Sequence, residues 1–246
     1  MAVLDKQKSI PLYLQLKKLL EAEIARGGLP PHSRVPSERD LGEQYGISRM
    51  TARQALAELI QEGRLYTSAG KGTFVAEPKI SQSIQSLTSF SEEMRARGLL
   101  PGTSLLGREL VPANALVAER LRVAEEAPVV RLERLRLANQ EPMALETAFL
   151  HFTGMERLLA ADVEGSLYLW LREHFNITPS EAFQEFEARL AQPRERTLLH
   201  LHDGAPVLLL QRTTYDGGRQ PFEYVQSVYR GDRYRFGARL VRLGAA

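Results

Sequence analysis

Two arginines four residues apart carry the most specific chemistry that the sequence suggests. Arg49 and Arg53 follow the glycine at Gly46 and lie among apolar residues that recur with helical spacing. Residues four apart share one face of a helix, and a guanidinium can bond O6 and N7 of guanine together in the major groove of DNA. The pair therefore predicts the reading of base edges, provided that a helix presents it outward.

Three short helices are predicted around this pair. Apolar residues recur at helical spacing over residues 12–24. Ser37 is placed to cap a second helix that ends at Gly46, and Ser48 can cap a third that ends at Gly63. The residues expected to face the core of the second and third helices are Leu41, Tyr45, Ala52, Ala55, Leu56, Leu59 and Ile60.

A hairpin is predicted directly after the helices. Residues 64–68 and 73–76 are β-prone and flank the tip Ala-Gly-Lys-Gly. At this tip Gly70 would let the backbone approach DNA closely, and Lys71 would supply a charge for phosphate or the minor groove. Three helices and a hairpin make a winged helix-turn-helix, and we assign it to residues 1–77.

The same stretch of sequence resembles the head of the GntR family of bacterial regulators. The matching segments are PLYLQLKKLLEAEI, VPSERDLGEQYGISRMTARQALAELIQEGRLY and GKGTFV, in order and spacing. The resemblance implies sequence-specific binding of double-stranded DNA, with contacts at Arg39, Ser48, Arg49, Thr51, Arg53 and Gly70. One departure lies in the wing, which reads Thr67-Ser68-Ala69 and lacks the basic or amide residue often seen there.

Beyond a polar segment at residues 78–91, predicted to be a linker, residues 92–246 are expected to form an α+β domain. Strand-like and helix-like runs alternate irregularly, which favours an antiparallel sheet over βαβ units. Strands are predicted at 105–110, 129–137, 143–150, 183–190, 207–214 and 222–229. Helices are predicted at 92–97, 155–159, 167–175 and 194–201.

A candidate anion site lies in this second domain. Period-2 alternation puts Arg134 and Arg136 on one face of their strand, and two neighbouring arginines suit a phosphate or carboxylate. The next strand offers Glu146, and Ser166 opens a helix whose first N–H groups can hold an anion. From the pattern alone, a charged sheet face that only links strands remains the alternative.

Three segments of this domain are similar to the effector-binding (UTRA) domain of HutC-type GntR regulators. They are RLRLANQEPMALETAFL, EGSLYLWLREHFNI and PFEYVQSVYRGDRYRF. The resemblance implies a fold similar to chorismate lyase and a small anionic effector, such as a sugar phosphate or organic acid. The effector residues that it implies are Phe90, Ser91, Arg134, Arg136, Glu146, Ser166, Tyr168 and Tyr229. Of these, two serines and two arginines (Ser91, Ser166, Arg134 and Arg136) would hold the anionic group, Glu146 the hydroxyl or amine groups, and Tyr229 the body of the ligand.

Composition limits the other classes of protein. The chain of 246 residues has a net charge of +2 and no cysteine, so disulfides and thiolate metal sites are excluded. It lacks a run of about 20 apolar residues, and we expect a cytoplasmic protein without membrane partners. The five histidines form no HExxH-type ligand set. We therefore expect no metal site and no cofactor.

Together these features predict a homodimeric repressor that binds a pseudo-palindromic operator and responds to the effector. Two alternatives stay open at this point. The second domain could be an enzyme that uses Glu146 as acid or base, although no nucleophile–base set accompanies it. The protein could instead be a non-specific architectural DNA binder, although a charge of +2 disfavours this because non-specific affinity depends on phosphate neutralisation.

Overall fold

The computed structural model of the protein describes residues 4–7, 9–68, 70–163 and 165–240. The other residues, including Ala69 in the predicted hairpin tip and the last six of the predicted second domain, lie outside this description. The chain separates into two units, Met1–Lys79 and Ile80–Ala246. Across the described ranges, none of the helices combines the length and the apolar character needed to span a membrane.

The first unit contains three helices followed by a hairpin, as predicted. Its elements are α1 (Leu12–Ala25), α2 (Glu38–Tyr45), α3 (Arg49–Gln61), β1 (Leu65–Ser68) and β2 (Gly72–Val75). The two strands are antiparallel. The helices and the hairpin share one apolar core, which includes Leu16, Leu20, Leu41, Ala52, Ala55, Leu56, Leu59, Leu65 and Val75.

The prediction for one residue of α3 is wrong. Ile60 is exposed, because it lies about a quarter-turn away from the middle of the buried stripe on a helix of 3.6 residues per turn. The stripe itself consists of Ala52, Ala55, Leu56 and Leu59.

The turn between α2 and α3 depends on local backbone chemistry. Ser37 caps α2 in a capping box with Asp40. Gly46 ends α2 with φ +63°, in the left-handed region that glycine adopts without a steric cost. A Cβ at Gly42 would lie 3.1 Å from the backbone oxygen of Ile47, so glycine there allows the two helices to approach closely. These features fix the direction in which α3 leaves the turn.

The second unit is built on one antiparallel sheet. Its strands are β3 (Ile80–Ser83), β4 (Pro101–Pro112), β5 (Pro128–Ala138), β6 (Glu141–Leu150), β7 (Glu181–Leu190), β8 (Pro206–Tyr215), β9 (Pro221–Arg230) and β10 (Tyr234–Gly237). Its helices are α4 (Phe90–Ala96), α5 (Ala115–Leu121), α6 (Leu167–Phe175) and α7 (Pro193–Leu199), with a 3₁₀ helix at Met155–Leu159. Six strands form the sheet in the order β4-β5-β6-β9-β8-β7, and β3 pairs with β10 in a separate parallel pair.

Helices cover both faces of this sheet. Val129 packs with α5, whereas Val130 packs with α6 and the 3₁₀ helix. Because successive side chains of a strand point to opposite faces, α5 and α6 lie on opposite sides. The predicted α+β class and the antiparallel sheet are confirmed.

The predicted linker at residues 78–91 is only partly irregular. It contains β3, whose Ile80 pairs with Tyr234, and Ser89, which caps α4. The second unit therefore starts well before residue 92. The sequence analysis missed β3 because its residues, Ile-Ser-Gln-Ser, are mostly polar and its partner strand lies about 150 residues away.

Candidate functional sites

The outer face of α3 carries the predicted arginine pair. Arg49 and Arg53 are both exposed, while the buried stripe of α3 faces the core. Ser48 caps the helix, and its Oγ accepts a hydrogen bond from the backbone N–H of Thr51 at 3.1 Å. The geometric condition for reading base edges, a pair of solvent-exposed guanidinium groups on a capped helix, is therefore met.

A carboxylate on the neighbouring helix positions Arg53. Nε of Arg53 donates to both oxygens of Glu38, at 3.0 and 3.1 Å, and this bond raises the pKa of Arg53. Glu38 is the first residue of α2. This bond uses the Nε–H, and Nη1 contacts Sδ of Met50 at 4.0 Å. The second N–H of Nη1 and both N–H groups of Nη2 remain for a base edge.

The other predicted DNA-contacting residues of the two helices differ in how many of their hydrogen-bonding groups already have partners within the protein. Arg39 is exposed and approaches Asp40, at 3.5 Å, and Glu43, at 3.8 Å. The hydroxyls of Ser48 and Thr51 lie 2.9 Å apart, so one of their two protons is shared between them. The other proton can be donated to a phosphate oxygen.

A basic group that sequence reasoning missed lies beside the hairpin. Gly70 has φ +71° and, like Lys71, is exposed. Arg34, from the segment before α2, bridges to Phe74, and its Nε lies 3.0 Å from where a Cβ on Gly72 would be. The wing therefore has a guanidinium beside it although residues 67–69 contain none. Only the long-range pairing of Arg34 with β2 could have indicated this.

A narrow cavity of about 20 Å³ lies on the α6 side of the sheet in the second unit. Its lining residues are Ser89, Phe90, Arg134, Arg136, Glu146, Leu167, Tyr168, Arg212 and Glu223. Five of the eight predicted effector residues are among them. Ser91 and Ser166 touch lining residues, since Ser91 Oγ accepts from Arg136 at 3.0 Å and Ser166 Oγ donates to Ser89 at 3.4 Å.

Tyr229, the eighth predicted residue, is not among the lining residues of the cavity. Its ring packs against Tyr234, with 4.7 Å between centroids, and against Phe236, in the apolar cluster under α4. Tyr229 nevertheless interacts electrostatically with the cavity residues Arg212, Glu146 and Arg136, so its contact with the body of a ligand stays a prediction.

Arg134 and Arg136 share one face of β5, as the alternation predicted. Arg134 lies opposite Glu146 in the register of β5 and β6 and forms a buried ion pair with it. Arg136 donates to Ser91, and its guanidinium lies 4.8 Å from the centroid of the Phe90 ring. Both arginines are at least 95% buried.

Several N–H groups of the three cavity arginines have no hydrogen-bond acceptor within the described part of the chain. They are Nε and Nη1 of Arg134, Nε and Nη1 of Arg136, and Nε of Arg212. A buried donor without a partner costs about 1–3 kcal/mol, and bound water, a bound ion or a functional role accounts for many such groups in native proteins. Donors of this kind, clustered around a cavity, suit an anionic ligand.

Arg212 and Glu223 are cavity residues that sequence reasoning missed. Arg212 lies on β8, and Glu223, on β9, accepts hydrogen bonds from Tyr168 and Thr214 at 2.7 and 2.8 Å. Leu210, two residues before Arg212, is buried on the same face of β8. A charged residue in register with a buried apolar one was the available signal.

The charged groups around the cavity shift one another's pKa values. Burial lowers the pKa of Arg136 to about 10, although Glu146 opposes this shift. Burial opposes ionisation of Glu146 too, but Arg134 and Arg136 outweigh it and hold its pKa below the ordinary value. Burial also raises the pKa of Tyr168, so Tyr168 stays a neutral donor to Glu223.

Glu93, one turn along α4 from the cavity, makes stability dependent on pH. It is 5% exposed, and its carboxylate lies 2.7 Å from Nη2 of Arg97. Burial raises its pKa from 4.5 to about 7 despite Arg97. Between these two values the unfolded chain binds fewer protons, so the free energy of unfolding falls as pH rises. At about 1.4 kcal/mol per pKa unit, we expect a loss on the order of 3 kcal/mol.

Urea unfolding at pH 5 and pH 8 measures this effect. Trp170 is the one tryptophan of the chain, so its fluorescence follows the second unit. The Glu93→Gln variant is expected to gain stability relative to the parent protein at pH 8 but not at pH 5. Glu119→Gln, at an exposed position of α5, is the matched control. Equal differences at the two pH values for Glu93→Gln would refute the assignment.

Comparison with known proteins agrees with both units. Residues 12–75 match the family described as bacterial regulatory proteins, gntR family, and residues 96–235 match the UTRA domain. The chain is 42% identical to the HTH-type transcriptional repressor NagR of Bacillus subtilis, covering 95% of this chain and 96% of that protein. It is 33% identical to the histidine utilization repressor of Pseudomonas putida, covering 93% and 92%.

A solved structure shares the fold of the chain. The crystal structure of PhnF from Mycobacterium smegmatis matches with a TM-score of 0.64 and 33% identity, covering 93% of this chain and 98% of that one. Relatives of this family are transcriptional repressors and not enzymes, so the enzyme alternative is excluded. The chain belongs to the GntR family of bacterial transcription regulators, in the HutC-type branch that joins this helix-turn-helix to a UTRA domain.

Proposed function

We propose that the protein is a cytoplasmic, homodimeric repressor that binds one operator sequence in double-stranded DNA and responds to a small anionic effector. The observation that carries the effector part is the set of buried, unpartnered guanidinium N–H groups around the cavity of the second unit. The exposed Arg49 and Arg53 on α3 support the DNA part. In a dimer, two copies of α3 would enter successive major grooves about one helical turn apart.

The cavity also favours a class of effector. Its lining contains three arginines and two glutamates (Arg134, Arg136, Arg212, Glu146 and Glu223), an excess of one positive charge. The unpartnered donors of Arg134 and Arg136 would bind a phosphate or carboxylate. Ser91 and Ser166 would complete that end of the site. The two carboxylates would accept hydrogen bonds from hydroxyl or amine groups of the same molecule.

Effector binding would control DNA binding through linkage. If the effector binds better to an arrangement of the dimer in which the two α3 helices fit the operator poorly, it lowers the affinity for DNA. By the same linkage, operator DNA lowers the affinity for the effector by the same factor. Phosphorylated sugars and small organic acids both carry an anionic group that guanidinium N–H groups can bind, so both belong among the candidate effectors.

Two measurements test the proposal. Selection from random double-stranded DNA should enrich one palindromic sequence, and a thermal-shift screen of phosphorylated sugars and small organic anions should find a compound that raises the unfolding temperature. That compound should change the fraction of operator bound in a gel shift. Selection that enriches no sequence would favour the architectural alternative, and a screen without any stabilising anion would contradict the effector assignment.

A further inference from the structure

An apolar side chain lies among the polar groups on the outer face of α3. Met50, the residue after Arg49, is 66% exposed, and its Sδ lies 4.0 Å from Nη1 of Arg53. Among the described residues of the first unit it is the most exposed large apolar side chain. Its surroundings in the unit do not explain it, because an exposed methionine contributes little to folding.

The position of Met50 on the helix is central to that face. Each residue advances about 100° around an α-helix of 3.6 residues per turn. On this wheel Met50 falls within roughly 10° of the direction opposite the middle of the buried stripe, and between Arg53 and Gln54, which are both exposed. A helix that enters a groove with its core face outermost would therefore put Met50 against the bases.

The major groove offers one apolar feature to such a side chain. Of the four bases only thymine presents a methyl group there, while the others present hydrogen-bonding groups. Methionine suits this contact because its unbranched, polarisable thioether adapts to irregular apolar surfaces. Arg53 would hold one flank of the side chain while its guanidinium bonds a neighbouring guanine.

We propose that Met50 is a specificity-determining residue that packs on the C5-methyl group of one thymine in each operator half-site. This inference rests on the proposed function, in which α3 enters the major groove. It adds a second kind of readout to that of the arginines, because a methyl contact distinguishes thymine from the other bases by shape and not by hydrogen bonding.

The test removes single thymine methyl groups from the DNA. After an operator has been selected with the parent protein, duplexes are made in which each thymine in turn, together with its symmetry mate, is deoxyuridine. Deoxyuridine differs from thymidine only by the missing methyl. At one thymine position the parent protein should bind about four-fold more weakly per half-site, the factor expected for burying one methyl-sized group. Met50→Ala should bind the thymine and deoxyuridine duplexes equally well.

Control variants separate this effect from a general weakening. Met50→Ala is expected to fold normally, because Met50 is exposed and alanine favours helices. Gln54→Ala changes an exposed residue on the same face, one turn along the helix, and should keep the methyl discrimination. The inference is overturned if no deoxyuridine pair weakens binding by the parent protein, or if Met50→Ala discriminates equally. Failure to enrich any operator would instead overturn the proposed function, and this inference with it.

Discussion

Alanine in place of Arg49 is expected to weaken binding to the selected operator by about 1–3 kcal/mol, roughly 5- to 150-fold. The loss arises because a bidentate contact with guanine disappears, whereas folding is unaffected since Arg49 is exposed. Arg53→Ala should lose at least as much. Its removal leaves the Glu38 carboxylate, now without its partner, close to the proposed DNA surface. Gel-shift titrations with the operator and with a scrambled duplex measure both effects.

Arg26→Ala provides the charge-matched control for these variants. Arg26 lies at the end of α1, is exposed and pairs with Glu23, so its removal takes away one positive charge without touching α3. We expect this variant to bind both duplexes slightly more weakly, by the same factor. Unchanged discrimination between the two duplexes in both arginine variants of α3 would refute the assignment of α3 as the recognition helix.

The sequence was sufficient for the parts of the fold that depend on neighbouring residues. Capping residues and glycines set where the helices of the first unit begin and end. Ser37, Gly46 and Ser48 act in this way, as predicted. Period-2 alternation placed Arg134 and Arg136 on one face of a strand. Each of these features is decided within a few residues, which is why a pattern in one sequence is enough to predict it.

The features that sequence analysis missed depend on distant pairing. Arg212 and Glu223 reach the cavity only because β8, β9 and β6 are adjacent in the sheet, an order that no local pattern gives. Arg34 reaches the wing through a pairing with Phe74. The role of Tyr229, which the resemblance implies, stays a prediction, since its ring packs in the apolar cluster with Tyr234 while it interacts electrostatically with the cavity residues Arg212 and Glu146.

Arg134 is the residue on which we expect effector binding to depend most. Arg134→Ala should abolish the effector response and leave operator binding intact, giving a repressor that the effector cannot release. The structure adds a second consequence. Glu146 is buried and paired with Arg134, and removing one partner of a buried ion pair costs about 3–5 kcal/mol. Loss of response in the alanine variant could therefore reflect a weakened fold.

Arg134→Lys separates the two effects. Lysine keeps a positive charge for Glu146, but it cannot donate the fork of parallel hydrogen bonds that a guanidinium gives to a phosphate or carboxylate. We expect this variant to unfold near the parent temperature and to bind the effector at least ten-fold more weakly by calorimetry. Arg131→Lys is the matched control, since Arg131 lies on the same strand with its side chain on the opposite face.

The two readouts together decide the role of Arg134. If it holds the anion, effector affinity falls in Arg134→Lys and not in Arg131→Lys, while both variants bind the operator as the parent protein does. If it only supports the sheet by neutralising Glu146, Arg134→Lys keeps both its stability and its effector affinity. Parental effector affinity in this variant would therefore refute the anion site, and the unpartnered N–H groups of Arg134 would need another explanation.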